Sequence, residues 1–220
     1  GSVYGGQIAD SAATGNVTGS EVQIAGGSIG GNVYAGYNAG AGDAKNSIVT
    51  ITGGTLAGDL YGGFANGAGA TTDNTVSLGD GDHSLPTGTN IAGTIYGGNK
   101  AAAADNTLNV YDTVTARNIA NFDKINFKAT SSHIAVGDTL LTLTTGATNF
   151  DWNKLHVDNL DNLNSSATSD RILTLMHNNN NINLSNYAPT GTRGRIHTSD
   201  YEADITTDGN LATTQNVYLK

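Results

Sequence analysis

Two carboxylates and an imidazole fall within five residues at Gly79-Asp80-Gly81-Asp82-His83, and these types can hold a metal or pass a proton. An acid and a base that work together need surroundings that drive their pKa values apart. Acidic residues alternating with glycine instead mark an exposed turn, which is the expectation here. Residues 39–44, Ala-Gly-Ala-Gly-Asp-Ala, carry part of the calcium-binding Gly-Gly-x-Gly-x-Asp pattern. The first glycine is missing, however, and the equivalent Gly67-Ala68-Gly69-Ala70 has no acid. The histidines at 83, 133, 156, 177 and 197 lack metal-ligand spacing, and no Gly-x-Ser-x-Gly elbow occurs. The sequence therefore assigns no catalytic residue, no metal ligand and no cofactor.

The other set capable of chemistry is aromatic. Tyr4, Tyr34, Tyr61 and Tyr96 each occupy the second place of one tetrapeptide, read as VYGG, VYAG, LYGG and IYGG, and Tyr37 and Phe64 follow two of them three residues on. Rings recurring on one face either form a strip for sugar rings or a partner surface, or stack to line a corner of the fold. The four tyrosines are the candidate binding residues.

The elements that carry these rings repeat. Val22, Ile24, Ile29 and Tyr34 map onto Val49, Ile51, Leu56 and Tyr61 at a constant offset of 27 residues, and Val49 and Ile51 map onto Val76 and Leu78 at the same offset. The next interval, Tyr61 to Tyr96, is 35 residues, and the surplus falls in the polar run 82–89. An insertion confined to one spot of one repeat reads as a loop on a stacked array. Within each repeat, pairs such as Val22-Gln23-Ile24 show the period-two alternation of a half-buried strand. Gly26-Gly27 and Gly53-Gly54 then supply corners where positive φ costs little. Such short strands bury a core only by stacking, which predicts an all-β, right-handed parallel β-helix with equivalent side chains about 4.8 Å apart. A propeller needs repeats of about 40 residues or more.

Glycine divides the chain: 25 of the 30 lie in residues 1–110. Residues 1–112 are therefore read as glycine-rich repeats, with Asp105-Asn106-Thr107-Leu108-Asn109-Val110 echoing Asp73-Asn74-Thr75-Val76-Ser77-Leu78. Residues 113–220 are read as a β-rich cap, dense in Phe122, Phe127, Phe150, Trp152 and leucine up to residue 160 and Asn-rich beyond. Strands are expected at 172–176, 182–184, 194–197 and 216–219, with a corner or hairpin at 178–181. The cap is expected to be the most stable unit. The first strands are expected to present an uncovered edge, open to fraying or to end-to-end stacking.

Charge narrows the partners. A formal net charge of −9 opposes nucleic acid and anionic membranes, and no apolar run reaches the roughly 18 residues of a membrane span. A lyase acting on an acidic polysaccharide would want basic residues in its groove, yet residues 1–110 hold no Arg and only Lys45 and Lys100. With no Cys, neither disulfides nor thiolate metal sites contribute.

Residues 116–143, ARNIANFDKINFKATSSHIAVGDTLLTL, carry Asn118-Ile119, Phe122-Asp123, Asn126-Phe127 and Gly137-Asp138 ahead of residues 140–143. This pattern, together with the preceding VYGG repeats, resembles the C-terminal passenger of Gram-negative type V autotransporters over about residues 1–160. The resemblance implies a β-helix ending in an autochaperone-like cap that is itself β-helical, cut from a longer chain that also has a signal peptide and a membrane barrel. It implies a non-enzymatic, cell-surface adhesin segment whose partner is a host-cell, bacterial or glycan receptor. The alternative on the same fold is a β-helical carbohydrate-active enzyme, either a polysaccharide lyase or a glycoside hydrolase.

Overall fold

The computed structural model describes residues 1–101, 104–128, 134–157, 173–187, 195–197, 202–207 and 214–219. These residues are all β apart from one 3-10 turn, Trp152–Lys154, and include no α-helix. The first round of chain is β1 (Val3–Ile8), β2 (Val17–Thr18) and β3 (Glu21–Ile29), and the second repeats it as β4 (Val33–Asn38), β5 (Ala44–Lys45) and β6 (Ile48–Leu56). There follow β7 (Leu60–Ala65), β8 (Thr75–Leu78), β9 (Asn90–Gly98), β10 (Thr107–Val110) and β11 (Val114–Ala120). Next come β12 (Lys124–Phe127), β13 (Thr139–Leu143), β14 (Thr148–Asp151), β15 (Leu155–Val157), β16 (Leu173–Asn178) and β17 (Ile182–Ser185). The last strands are β18 (Arg195–His197), β19 (Glu202–Thr207) and β20 (Asn216–Leu219). Sixteen of the strands join one curled sheet, mostly parallel.

Three parallel ladders carry the apolar residues. The first registers Val3, Val33, Leu60, Ile95 and Ile119 one above another. The second registers Val22, Val49, Val76, Leu108, Ile125 and Leu155, and beside it Ile24, Ile51, Leu78, Val110, Phe127 and Val157. The third registers Ile29, Leu56, Ile91, Ala116 and Leu143. One hydrophobic cluster draws buried members from all three. The 27-residue offsets read from the sequence are thus pairing registers. The glycine corners inside β3 and β6 hold Gly27 at φ 82° and Gly54 at φ 96°, where a Cβ would be strained.

The second glycine of the tetrapeptide has a packing reason. A Cβ on Gly63 would stand 2.5 Å from the Ala44 carbonyl oxygen and 2.5 Å from Asn74 Nδ2. It would intrude on a buried polar row: the Ser47 N–H donates to Asn74 Oδ1 (3.0 Å), and the Asn74 N–H and Nδ2 donate to Asn106 Oδ1 (3.0 and 3.1 Å). Asn106 Nδ2 in turn donates to the Thr71 carbonyl at 2.9 Å. Replacing Asn106 by leucine is expected to destabilise the chain by about 1–3 kcal/mol for each buried group left unpaired, read as a lower urea midpoint. An unchanged midpoint would mean that the row is dispensable.

The composition boundary near residue 112 is not a boundary in pairing. The second ladder runs without interruption from β8 through β10 and β12 to β15, and parallel pairing continues to β16 and β17. The change of character comes later, where β20 pairs antiparallel with β16, β19 with β20 and β18 with β19. Residues 178–181 form a corner between parallel strands rather than a hairpin, since β17 pairs parallel with β14. At the other end, among the described residues, β1 pairs only with β4 and β3 only with β6. Of the expected positions, His133, Ile172 and Gly194 lie outside the described residues.

Candidate functional site

The four tyrosines stand in register along the first ladder. Tyr4 and Tyr34 stack at 5.1 Å between centroids, Tyr34 and Tyr61 at 5.1 Å, and Tyr61 and Tyr96 at 4.7 Å, with interplanar angles of 11°, 8° and 4°. Tyr37 and Phe64 form a parallel second row, edge-on to the first. Each inner ring therefore spends both faces on its neighbours, and Tyr34 is only 8% exposed while Tyr4 at the end is 40% exposed. A sugar ring needs an open aromatic face, so the inner rings offer edges alone. The strip is built chiefly as a structural stack, each aromatic pair adding about 0.5–1.5 kcal/mol beyond burial.

The stack also governs how the chain meets alkali. Burial raises the Tyr34 hydroxyl pKa above its ordinary value, and burial with the nearby Asp59 carboxylate raises that of Tyr61. Asn32 Nδ2 donates to the Tyr34 hydroxyl at 2.8 Å, and the Tyr61 hydroxyl donates to Asp59 at 3.2 Å. A folded-state pKa above the unfolded one means that the folded chain holds the proton more tightly. The associated stability is complete below the unfolded tyrosine pKa of about 10 and is lost as pH rises beyond it. Alkaline titration should show tyrosinate absorbance lagging behind free tyrosine, with unfolding above about pH 10. The double substitution Tyr34→Phe and Tyr61→Phe should flatten that loss; an equally steep loss in the double variant would remove the two hydroxyls as its cause.

The acidic cluster forms a turn. Asp80 accepts from the N–H groups of Asp82 and His83 at 3.0 Å each, and its second oxygen pairs with His83 Nδ1 at 3.0 Å. That bond raises the pKa of the exposed His83 and lowers that of Asp80. Asp43 likewise serves the fold, accepting from the Ala70 N–H at 2.9 Å and pairing with Lys45 at 3.0 Å.

A second place, absent from the sequence reading, lies where the first ladder breaks. Past a bulge between Ala116 and Asn118, the C-terminal half of β11 pairs with β9 on one side. Among the described residues the next strand along the chain on this face, β14, joins only β17, in a separate two-stranded sheet. Side chains bridge the gap instead. The Thr148 hydroxyl donates to Asn118 Oδ1 at 2.6 Å, and Asn118 Nδ2 donates to the carbonyls of Thr145 and Ala147. At the other end Lys154 Nζ donates to the Phe122 carbonyl at 2.8 Å and pairs with Asp123 at 3.1 Å. Between these ties opens a cavity of about 430 Å³, within the size range of small-molecule sites.

Its floor is apolar, formed by Ile119, Phe122, Ile125 and Phe150 with the half-buried Leu184. Its rim is polar: Asn121, Asn149, Asp151, Lys154, Asn183 and Ser185. No family model, curated protein or solved structure matches the chain. The rim amides are partly braced, with Asn183 Nδ2 donating to Asn149 Oδ1 at 3.0 Å and Asn121 Nδ2 to the Gly98 carbonyl at 2.8 Å. Asp151 is held on both oxygens, accepting from the Asn153 N–H at 2.9 Å and from Asn186 Nδ2 at 3.0 Å. Ala120, which follows Tyr96 in the pairing register, also lines the cavity, so the aromatic column leads to its edge. In the sequence this place shows only that the tyrosine column stops, with Ala120 following Tyr96.

Proposed function

We propose that the chain is a C-terminal passenger segment of a type V autotransporter adhesin, held at the cell surface as a right-handed parallel β-helix. On this reading residues 1–112 are its repeats and residues 113–220 its autochaperone-like cap. Its work is to fold and present a binding surface to a host-cell, bacterial or glycan receptor, without catalysis of its own. The observation that carries the reading is the set of three registered parallel ladders leading into a bulkier end covered by antiparallel strands. Such a stack grows by adding repeats and projects whatever it bears away from its anchor, which suits an adhesin. Among the described residues the cavity presents one carboxylate on its rim, Asp151, where glycoside hydrolysis ordinarily uses two.

The test uses intact source cells. An antibody raised against the purified chain should label them without permeabilisation, and external protease should remove the signal. Labelling seen only after the cells are opened would overturn surface display, and turnover of a polysaccharide by the purified chain would overturn the non-enzymatic reading.

A further inference from the structure

We propose that the cavity between β11 and the β14–β17 sheet binds a ring of a neutral saccharide. Three features of the site select this ligand class. The first is shape. The Thr148–Asn118 bond closes one end of the gap and the Lys154–Phe122 bond closes the other. The space left between these ties is a partly open cavity of about 430 Å³, with room for a single sugar ring.

The second is charge. Among the described residues Lys154 is the one base on the rim, and it is already paired with Asp123, while Asp151 adds a negative charge. A phosphate or a uronate would meet no uncommitted cation and would enter a chain of net charge −9. Among the described residues no group of three His, Cys, Asp or Glu stands together to hold a metal ion that would reverse this balance.

The third is the layout of polar and apolar groups. A sugar ring has hydroxyls around its edge and C–H groups on its faces. The cavity meets these with amides and a hydroxyl on the rim, at Asn149, Asn183 and Ser185, over an apolar floor that includes Phe122 and Phe150. An amide supplies both a donor and an acceptor, which is what a hydroxyl requires. The bond from Asn183 to Asn149 fixes one amide against the other before any ligand arrives, reducing the ordering cost of binding. A purely apolar ligand would instead strip water from that rim without replacing its hydrogen bonds.

Saturation-transfer NMR on the full chain tests the site, using glucose, galactose, mannose, N-acetylglucosamine and N-acetylgalactosamine at about 10 mM, where a millimolar site is largely filled. Glucuronate and sialic acid are the charged comparisons. At least one neutral sugar should show transfer. Ser185→Trp, which fills the mouth from an exposed strand position, should abolish it, and Asn149→Ala should weaken binding by about tenfold, the loss of roughly one hydrogen bond. Both side chains are exposed, and an unchanged thermal midpoint certifies each variant; if the tryptophan variant does not fold, the alanine variant decides. No transfer from any neutral sugar, transfer only from the charged sugars, or transfer undiminished in the folded variants would each overturn the assignment. Because the readout is a sugar on the purified chain, the result is independent of whether the chain is displayed on a cell surface.

Discussion

Phe127→Ala should lower the stability of the whole chain by about 3–5 kcal/mol, a large fraction of the 5–15 kcal/mol typical of a domain. Phe127 ends β12 with no exposed surface, in register with Val110 on one side and Val157 on the other. Its ring fills the interior where the narrower Ile51, Leu78 and Val110 precede it in the same column, so its removal leaves a void that the paired backbone on both sides cannot close. Trp152 is 2% exposed and meets Tyr187 edge-on at 4.7 Å, so Trp152→Ala should cost a similar amount. Urea unfolding measures both. Hydrogen exchange locates the effect: protection should be highest in β10, β12 and β15 and fall first there in the Phe127 variant. Stronger protection in β1, β4 and β7 would show that the repeats, and not this bulky stretch, form the stable unit.

The reason Phe127 could be chosen from the sequence also shows where sequence reading stops. Registers such as Val22 on Val49 and Tyr34 on Tyr61 were legible because a parallel ladder puts like on like, so pairing appears in the chain as a repeated residue type. Gly27 and Gly54 were legible as corners because positive φ restricts the residue choice. The pairing registers beyond residue 112 were not legible because the spacing changes: Asn126 bonds Asn109 across only 17 residues, and Lys154 bonds Asp123 across 31. Varied loop lengths erase a period while leaving the pairing intact. The facing of the tyrosines was legible, but the closure of their faces was not, since a 27-residue offset does not give ring orientation. The cavity left no positive signal at all. It arises from pairing that β11 and β14 do not make, and its rim is built from asparagine, a residue the chain also uses in its buried rows.

Cutting the chain after residue 213 should make it self-associate more strongly than the full chain. The segment 214–219 is the partner of the last parallel strand: β20 registers Leu219 with Leu173, Val217 with Met176 and Asn216 with His177, running antiparallel to β16. It also meets the adjoining corner, where the Asn178 N–H donates to the Gln215 carbonyl at 2.8 Å and the Ile182 N–H to the Thr214 carbonyl at 2.7 Å. Val217 and Leu219 are 1% and 0% exposed, so their removal forfeits about 1.5–3 kcal/mol each from burial alone. The larger consequence is geometric. Without β20, β16 presents a row of unpaired backbone groups next to Leu173 and Met176, and an open apolar edge of this kind recruits other strands. Sedimentation velocity should show the truncated chain forming concentration-dependent oligomers at lower concentration than the full chain. Restoring residues 214–220 with Val217→Lys separates the two contributions: the backbone cover remains while apolar burial is lost, so this variant should be less stable yet less prone to associate than the truncation. If the truncated chain stays monomeric and as stable as the full one, β20 is not what closes the ladder at β16, and the antiparallel end has no capping role.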